Sequence, residues 1–247
     1  MNQKQCLRLL GLETNPGSLA MALDEVLLEG AILGEASLRF YQWREPTVSL
    51  GYFQPYAAAA GLAGLPLVRR PTGGDLLVHH HELTYTLALP EKLLLVGAEE
   101  LACQVHRLIG GMLGKLGASV ACQPSKGRLF APGAPEGVLC FLHPAAGDVL
   151  VGGYKVVGSA QRRRRGALLQ HGSILLAASS HAPWLPGIRD LSLARPDAIS
   201  LASLISDDLL MDLGLTGIPG AWTLEELRWA RELELNRYQD ANWTLRR

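Results

Sequence analysis

Apolar residues recur every three or four positions between residues 19 and 33, where Leu19, Leu23, Val26, Leu27 and Leu33 form one stripe. That spacing predicts a helix, with Ser18 as its N-cap and Gly34 as its stop. Residues 37–43 and 47–53 are rich in aromatic and branched side chains and flank Arg44-Glu45-Pro46, which predicts two strands. A small-residue stretch over 57–64 reads as a short helix or a loop. Residues 67–70 and 76–80 predict two short strands joined by the turn-forming Pro71-Thr72-Gly73-Gly74-Asp75, and 83–89 predicts another. Helical spacing returns over 97–116, with Leu101, Val105, Leu108, Ile109 and Leu113 on one face.

Residues 121–147 carry repeated Pro and Gly and almost no periodicity, which predicts a long loop of the kind that is more often functional than ornamental. Three strands follow, over 149–151, 155–160 and 168–176, with Gly152-Gly153 as a hairpin turn. From about residue 195 the pattern is helical: one short helix over 198–205, and another opened by the capping box Thr223-Leu224-Glu225-Glu226 and running to about Tyr238. Strands before helices, without regular alternation, predict an α+β fold with a mixed, largely antiparallel sheet flanked by helices. The 247 residues are read as one domain, 1–247, with a helical C-terminal segment.

Composition narrows the function classes. Hydrophobic residues are 48% and charged residues 19%, which fits an ordered chain. The 23 basic and 23 acidic residues cancel, so no global field draws the protein to nucleic acid or anionic lipid. No apolar run approaches the roughly 20 residues that cross a bilayer, and the N-terminus lacks a secretory pattern. Cys6, Cys103, Cys122 and Cys140 show neither Cys-x-x-Cys nor zinc spacing, which predicts thiols in a reducing, cytoplasmic setting and no bound metal.

Four features carry candidate chemistry. Arg69-Arg70-Pro71-Thr72-Gly73-Gly74 is either an ordinary hairpin turn or a glycine pair that lets backbone N–H groups approach a ligand. His79, His80 and His81 invite a metal, but alternation on a strand leaves at most His79 and His81 on one side, with no acidic or thiol partners at ligand spacing. Arg162, Arg163, Arg164 and Arg165 read as a solvated hairpin tip, or as a contact for an acidic partner or a phosphate. Cys140, in Cys-Phe-Leu-His-Pro and fifteen residues before Lys155, is either a buried structural thiol or a nucleophile held as thiolate by the lysine.

Taken in order, several strings resemble the lipoate–protein ligase A/octanoyltransferase family: Met21-Ala22-Leu23-Asp24-Glu25, Leu38 to Trp43, Pro46 to Gln54, Arg69 to Gly74, Glu82-Leu83-Thr84-Tyr85 and Lys155 to Leu175. Within it the chain is most similar to the cysteine-dependent octanoyltransferases of Gram-positive type, whose Cys-Phe-x-x-Pro element matches residues 140–144 upstream of Lys155-Val156-Val157-Gly158-Ser159-Ala160-Gln161. The resemblance implies a biotin/lipoate ligase-like fold enclosing an acyl tunnel. It implies Cys140 and Lys155 as catalytic residues, and Arg70, Thr72, Gly73, Gly74, His79, Gly158, Ser159, Ala160, His171 and Gly172 as substrate-binding positions. Asp75 and His80 depart from the family's usual glycine or arginine and aspartate.

The implied reaction moves an octanoyl group from octanoyl-acyl carrier protein to a lysine of a lipoyl domain, such as the glycine cleavage H protein or a dehydrogenase E2 subunit. Cys140 would carry the acyl group as a thioester, without a cofactor. The proton of the incoming amine would pass to a neutral Lys155 or to His79. Two other readings stand beside it. One is an ATP- and Mg-dependent lipoate–protein ligase, for which the roughly seventy residues after Leu176 leave little room for an accessory domain. The other is a non-catalytic acyl- or carrier-binding protein on the same scaffold. The acceptor, an octanoyl or lipoyl donor, and the oligomeric state are left open by the sequence.

Overall fold

The computed structural model describes residues 5–127, 129 and 140–246. The middle of the predicted loop, 130–139, therefore lies outside the described residues. Strand β1 (Cys6–Asn15) passes through Pro16 into helix α1 (Gly17–Ile32), followed by β2 (Ala36–Trp43) and β3 (Thr47–Leu50). A 3₁₀ segment (Tyr56–Leu62) leads to β4 (Leu67–Arg69), β5 (Leu77–His79) and β6 (Glu82–Pro90), then to α2 (Ala98–Lys115). Next come β7 (Val120–Cys122), β8 (Val149–Val151), β9 (Tyr154–Arg164) and β10 (Ala167–Leu175). The chain closes with α3 (Ile188–Leu191), α4 (Ala198–Leu213), β11 (Thr216–Gly220), α5 (Leu224–Leu233), a π turn (Glu234–Tyr238) and α6 (Ala241–Thr244).

Among the described residues eight strands form one sheet in the order β11-β1-β2-β6-β10-β9-β8-β7, and β4-β3-β5 form a second. β1 pairs parallel with β11 and β2; the other neighbours in the large sheet are antiparallel. The α+β reading is thus the observed fold. Side-chain alternation on β6 and β10 divides the interior. Leu83, Tyr85, Leu87 and Leu89 of β6 and Leu168 and Ile174 of β10 pack with α2 and α4. Ala88, Ala167 and Leu169 meet Leu27, Leu28 and Ala31 of α1 on the opposite face.

Several local expectations are corrected. Helix α1 begins two residues earlier than a Ser18 cap would allow, because Pro16, at φ −67°, already takes the cap position. Ser18 instead donates to Glu234 at 2.8 Å. Gly17 lacks a side chain for a physical reason: a Cβ there would stand 2.8 Å from Thr47 Cγ2 and 2.9 Å from Trp43 Cζ3. The strands on either side of Arg44-Glu45-Pro46 belong to different sheets, and β4 and β5 do not form a hairpin. β3 lies between them, parallel to β4 and antiparallel to β5, so residues 70–76 cross over β3 instead of turning tightly.

The C-terminal segment is not wholly helical, since β11 completes the sheet beside β1. The Gly152-Gly153 turn and the Thr223–Glu226 capping box form where their residues predict them, with both glycines at positive φ. Of the four arginines, Arg163 and Arg165 are exposed at the β9–β10 turn, as a solvated tip predicts, while Arg162 and Arg164 are half-buried. Arg163 and Arg164 pair with Glu91 and Glu29, and Arg162 donates to the Pro71 carbonyl while covering the Tyr52 ring.

Candidate active site

On the α1 face of the large sheet the buried side chains are unusually polar. Arg39, Tyr41, Thr84, Thr86, His171 and Ser173 all sit at alternate strand positions pointing toward α1. Two carboxylates organise them. Asp24, inside α1, accepts from Arg39 (2.9 Å), Thr86 (2.7 Å) and Tyr41 (3.2 Å), and faces His171 Nδ1 at 3.0 Å. Glu82 Oε1 accepts from Thr84 (2.6 Å) and Ser173 (2.7 Å) and faces His79 Nδ1 at 2.9 Å. Burial pushes the Glu82 carboxyl up, but His79, Thr84 and Ser173 outweigh it and hold it below the usual range.

With a carboxylate at each Nδ1, the ring proton is assigned there and each Nε2 is an acceptor. His171 Nε2 takes Thr72 Oγ1 at 2.6 Å and His79 Nε2 takes Ser49 Oγ at 2.6 Å. Ser49 in turn accepts from Arg70 at 2.6 Å. Both rings are therefore fully engaged. Burial depresses the His79 imidazole, which favours this neutral arrangement.

Above this floor lies a cavity of about 440 Å³, part of it open to solvent. Its walls include Met21 from α1, Tyr41 and Trp43 from β2, Leu77 and His79 from β5, and Phe141 beside Cys140. Of the residues singled out in the sequence, Cys140, Arg70, Gly74, His79, Gly158, Ser159, Ala160, His171 and Gly172 line it together. Thr72, Gly73 and Lys155 do not. Thr72 stands behind His171, and the Gly73 carbonyl accepts from Arg70 at 3.1 Å. Neither residue that departs from the family pattern lines the cavity: the Asp75 carboxylate lies 3.7 Å from His143, and His80 meets Ser179 and His81.

Cys140 opens a 3₁₀ turn (Cys140–Leu142) whose Phe141 and Leu142 are buried among Val48, Leu50, Leu76 and Val78. Its N–H donates to the Leu76 carbonyl at 2.8 Å, which fastens the turn to the entrance of β5. Lys155, at the start of β9, reaches Cys140 Sγ with its ammonium at 3.7 Å. The same Nζ lies 2.7 Å from Asp148 Oδ2 and 5.1 Å from the Phe141 ring centre. A Cβ at Gly158 would overlap the Lys155 Cε, so glycine there gives the lysine arm its path. Burial works against the charge on Lys155, yet Cys140 and Asp148 outweigh it and raise its pKa above the ordinary lysine value.

Sequence reading missed Asp148, and it quoted Asp24 and Glu82 without giving them roles. Asp24 did leave a signal, an acidic residue in a helix whose neighbours on either side, Ala20 to Leu28, are apolar or buried. Among the described residues no group of three or more His, Cys, Asp or Glu is arranged to hold a metal, and no helix is long and apolar enough to cross a membrane.

Comparison with known proteins gives the family. The model of the lipoyl protein ligase A/B catalytic domain matches residues 16–183. The chain is 35% identical to the octanoyltransferase LipM of Symbiobacterium thermophilum, over 97% of this chain and 98% of that protein. It is 34% identical to the octanoyltransferase LipM of Kyrpidia tusciae, over 96% and 98%. Among solved structures it resembles a lipoate-protein ligase A bound with ATP (TM-score 0.71, 20% identity, 98% of this chain and 99% of that one). It also resembles the bi-partite lipoate protein ligase of Thermoplasma acidophilum, studied with its E2 lipoyl domain (TM-score 0.71, 19% identity, 98% and 96%). At those identities the structural likeness speaks for the fold alone.

Proposed function

Because the chain belongs to the lipoyl protein ligase A/B catalytic-domain family, we propose that it is a cysteine-dependent octanoyltransferase of protein lipoylation. The single observation that carries the mechanism is the Lys155 ammonium 3.7 Å from the Cys140 sulfur, at a cavity walled by Met21, Trp43, Leu77 and Phe141. The donor is an octanoyl thioester on acyl carrier protein. The acceptor is a lysine of a lipoyl domain, such as that of the glycine cleavage H protein or an E2 subunit. The compartment is the cytoplasm.

Cys140 thiolate attacks the thioester carbonyl carbon, the carbon–sulfur bond to the carrier breaks, and the carrier leaves as a thiolate that takes a proton from solvent. The neutral amine of the acceptor lysine then attacks the Cys140 thioester. The second carbon–sulfur bond breaks, an amide forms, one amine proton is lost, and Cys140 returns as thiolate beside Lys155. The thioester supplies the driving force for amide formation, so the reaction needs no cofactor. Each buried methylene contributes about 0.8 kcal/mol, enough for the cavity to select the chain by length.

The test is direct. Wild-type protein incubated with octanoyl-carrier protein should gain one octanoyl mass, removable by hydroxylamine. Cys140→Ala should abolish the adduct, and Lys155→Ala should slow its formation in a folded protein. A wild-type chain that stays unlabelled, yet modifies a lipoyl domain when given ATP, Mg and lipoate, would establish the ligase chemistry of its structural relatives instead. Retained octanoate binding without any transfer would leave a binding protein.

A further inference from the structure

Acylation poses an electrostatic problem for Lys155. Its ammonium is buried 3.7 Å from the Cys140 sulfur, and the transferase reading requires that sulfur to attack as a thiolate. Once Cys140 carries an acyl group, that negative charge is gone. A buried ammonium without a counter-ion is disfavoured by several kcal/mol, so the lysine would lose its proton or swing away. The second half-reaction would then begin without the cation that must receive the departing thiolate.

Asp148 is the group that resolves this. It is buried, and its Oδ2 lies 2.7 Å from Lys155 Nζ while accepting the Ala145 N–H at 2.6 Å. Its backbone is tied on both sides: the Asp148 N–H donates to the Ala145 carbonyl at 3.1 Å, and the Asp148 carbonyl accepts from Gln123 at 2.8 Å. The charged and titratable neighbours are few. From α2, His106 Nδ1 stands 3.8 Å from Asp148 Oδ1 but is within 3.1 Å of the Gly147 carbonyl, and burial keeps that imidazole neutral. From β6, Tyr85 accepts from Gln170, and burial pushes its hydroxyl up to about 12, so it stays uncharged. The 3₁₀ turn contributes Cys140 and the uncharged Phe141. Lys155 is thus the cation that balances Asp148.

Resting on the transferase reading, we propose that Asp148 is a positioning residue that clamps the Lys155 ammonium beside Cys140 and keeps it charged through both half-reactions. Lys155 is then never the base for the incoming amine. His79 and His171 are excluded as well, because both nitrogens of each ring are already bonded. The amine proton leaves to solvent at the open mouth of the cavity as the amide forms and the Cys140–carbon bond breaks.

The experiment separates the half-reactions. Acylation of Cys140 by octanoyl-carrier protein, and deacylation of isolated octanoyl-enzyme by a lipoyl domain, are followed from pH 6 to 10.5 in wild type, Asp148→Asn and Asp148→Glu. Loss of a neighbouring opposite charge should move the alkaline limb of deacylation to lower pH by roughly one to three units in Asp148→Asn. Acylation should shift less, since the thiolate still pairs with Lys155. Asp148→Glu should keep the wild-type limb even if slower. Equal slowing of both halves at every pH, with the limb unmoved, would reduce Asp148 to a structural role and overturn the proposal. Lysine Cε NMR of wild-type protein gives a readout independent of variant folding: in octanoyl-enzyme Lys155 should still titrate above the ordinary lysine value, and titration below it would refute the clamp. Failure of any octanoyl adduct to form would count against the transferase reading itself. The Lys155 titration of the resting enzyme, compared between wild type and Asp148→Asn, would still judge the clamp: a lower value in the variant supports it, and identical values overturn it.

Discussion

Trp43 is the residue whose replacement should change which acyl chain the protein accepts. Its indole lines the cavity, stacks on His79 with ring centres 3.8 Å apart, and donates to Thr84 at 2.9 Å. The other edge of the ring faces Gly17, and Gly17, Thr47 and Val68 line a separate surface cleft of about 850 Å³ beneath α6. The Trp43 ring, packed against Gly17, therefore stands between the two spaces. A chain longer than the cavity must strain against that ring, at a cost of about 1–3 kcal/mol. With the ring removed, each further methylene that enters the opening contributes up to about 0.8 kcal/mol. Four extra carbons should then shift the dodecanoyl-to-octanoyl preference by about two orders of magnitude from the methylenes, and by up to about four with the relieved strain included. Trp43→Ala should destabilise the fold by about 3–5 kcal/mol, so Trp43→Leu is the companion variant that keeps more of the packing. Competing octanoyl and dodecanoyl thioesters on Cys140, read by intact mass alongside urea midpoints, give the ratio. A folded variant whose ratio stays within about twofold of wild type would refute the partition.

Three more outcomes follow from the geometry. Gly158→Ala should drive the lysine arm from its path, and a displacement of about 1 Å from productive geometry costs on the order of a hundredfold in rate, so an acylation rate close to wild type would contradict the packing. His79 and His106 are pushed below the ordinary histidine value by burial, so the unfolded chain binds protons that the folded one refuses. Stability should be fully present above about pH 6.5 and fall as the pH drops toward 5, by at most about 1.4 kcal/mol per unit for each ring; urea midpoints should show the slope, and His106→Gln should lessen it. Thr223→Ala should remove the cap that accepts the Glu226 N–H at 3.1 Å and cost about 1 kcal/mol, measured by thermal or urea unfolding.

Local patterns announced themselves wherever one short stretch contains the whole cause. The α1 and α2 stripes, the Gly152-Gly153 turn and the Thr223 capping box each depend on residues a few positions apart, and each forms near its predicted place. Pairings between distant segments were not legible. β1 and β11 are separated by some two hundred residues, and β11, Thr-Gly-Ile-Pro-Gly, has the composition of a loop; it becomes a strand because β1 offers it an edge. Likewise 67–70 and 76–80 read as a hairpin because nothing in them reveals that β3 will lie between. The Arg162 to Arg165 run is solvated at Arg163 and Arg165, but the partners that half-bury Arg164 and Arg162, Glu29 and the Tyr52 ring, come from other elements and leave no trace in the run itself. Family strings brought most of the cavity wall into view, including Cys140, together with Lys155 beside it. Asp148 escaped because its importance is a distance to Lys155, and spacing along the chain does not state distances.

The polar floor explains why the candidate site can be rigid beneath an apolar cavity. An alternating strand such as Leu83-Thr84-Tyr85-Thr86-Leu87 would ordinarily turn its threonines to water. Here α1 covers them, and unpaired hydroxyls would each cost about 1–3 kcal/mol. Asp24 and Glu82 remove that cost by accepting several donors apiece, and in doing so they orient His171 and His79 through Nδ1. Thr72 and Ser49 then saturate the far nitrogens, and Ser49 links the network to Arg70 at the rim. Every polar hydrogen of the two rings is spent on structure, so these histidines shape the cavity without competing for protons in it. The titratable side chains left to act at the acyl carbonyl are Cys140 and its ammonium neighbour, and Asp148 lies 2.7 Å from that ammonium. Catalysis on such a floor depends on keeping one charge in place while the charge opposite it appears and disappears.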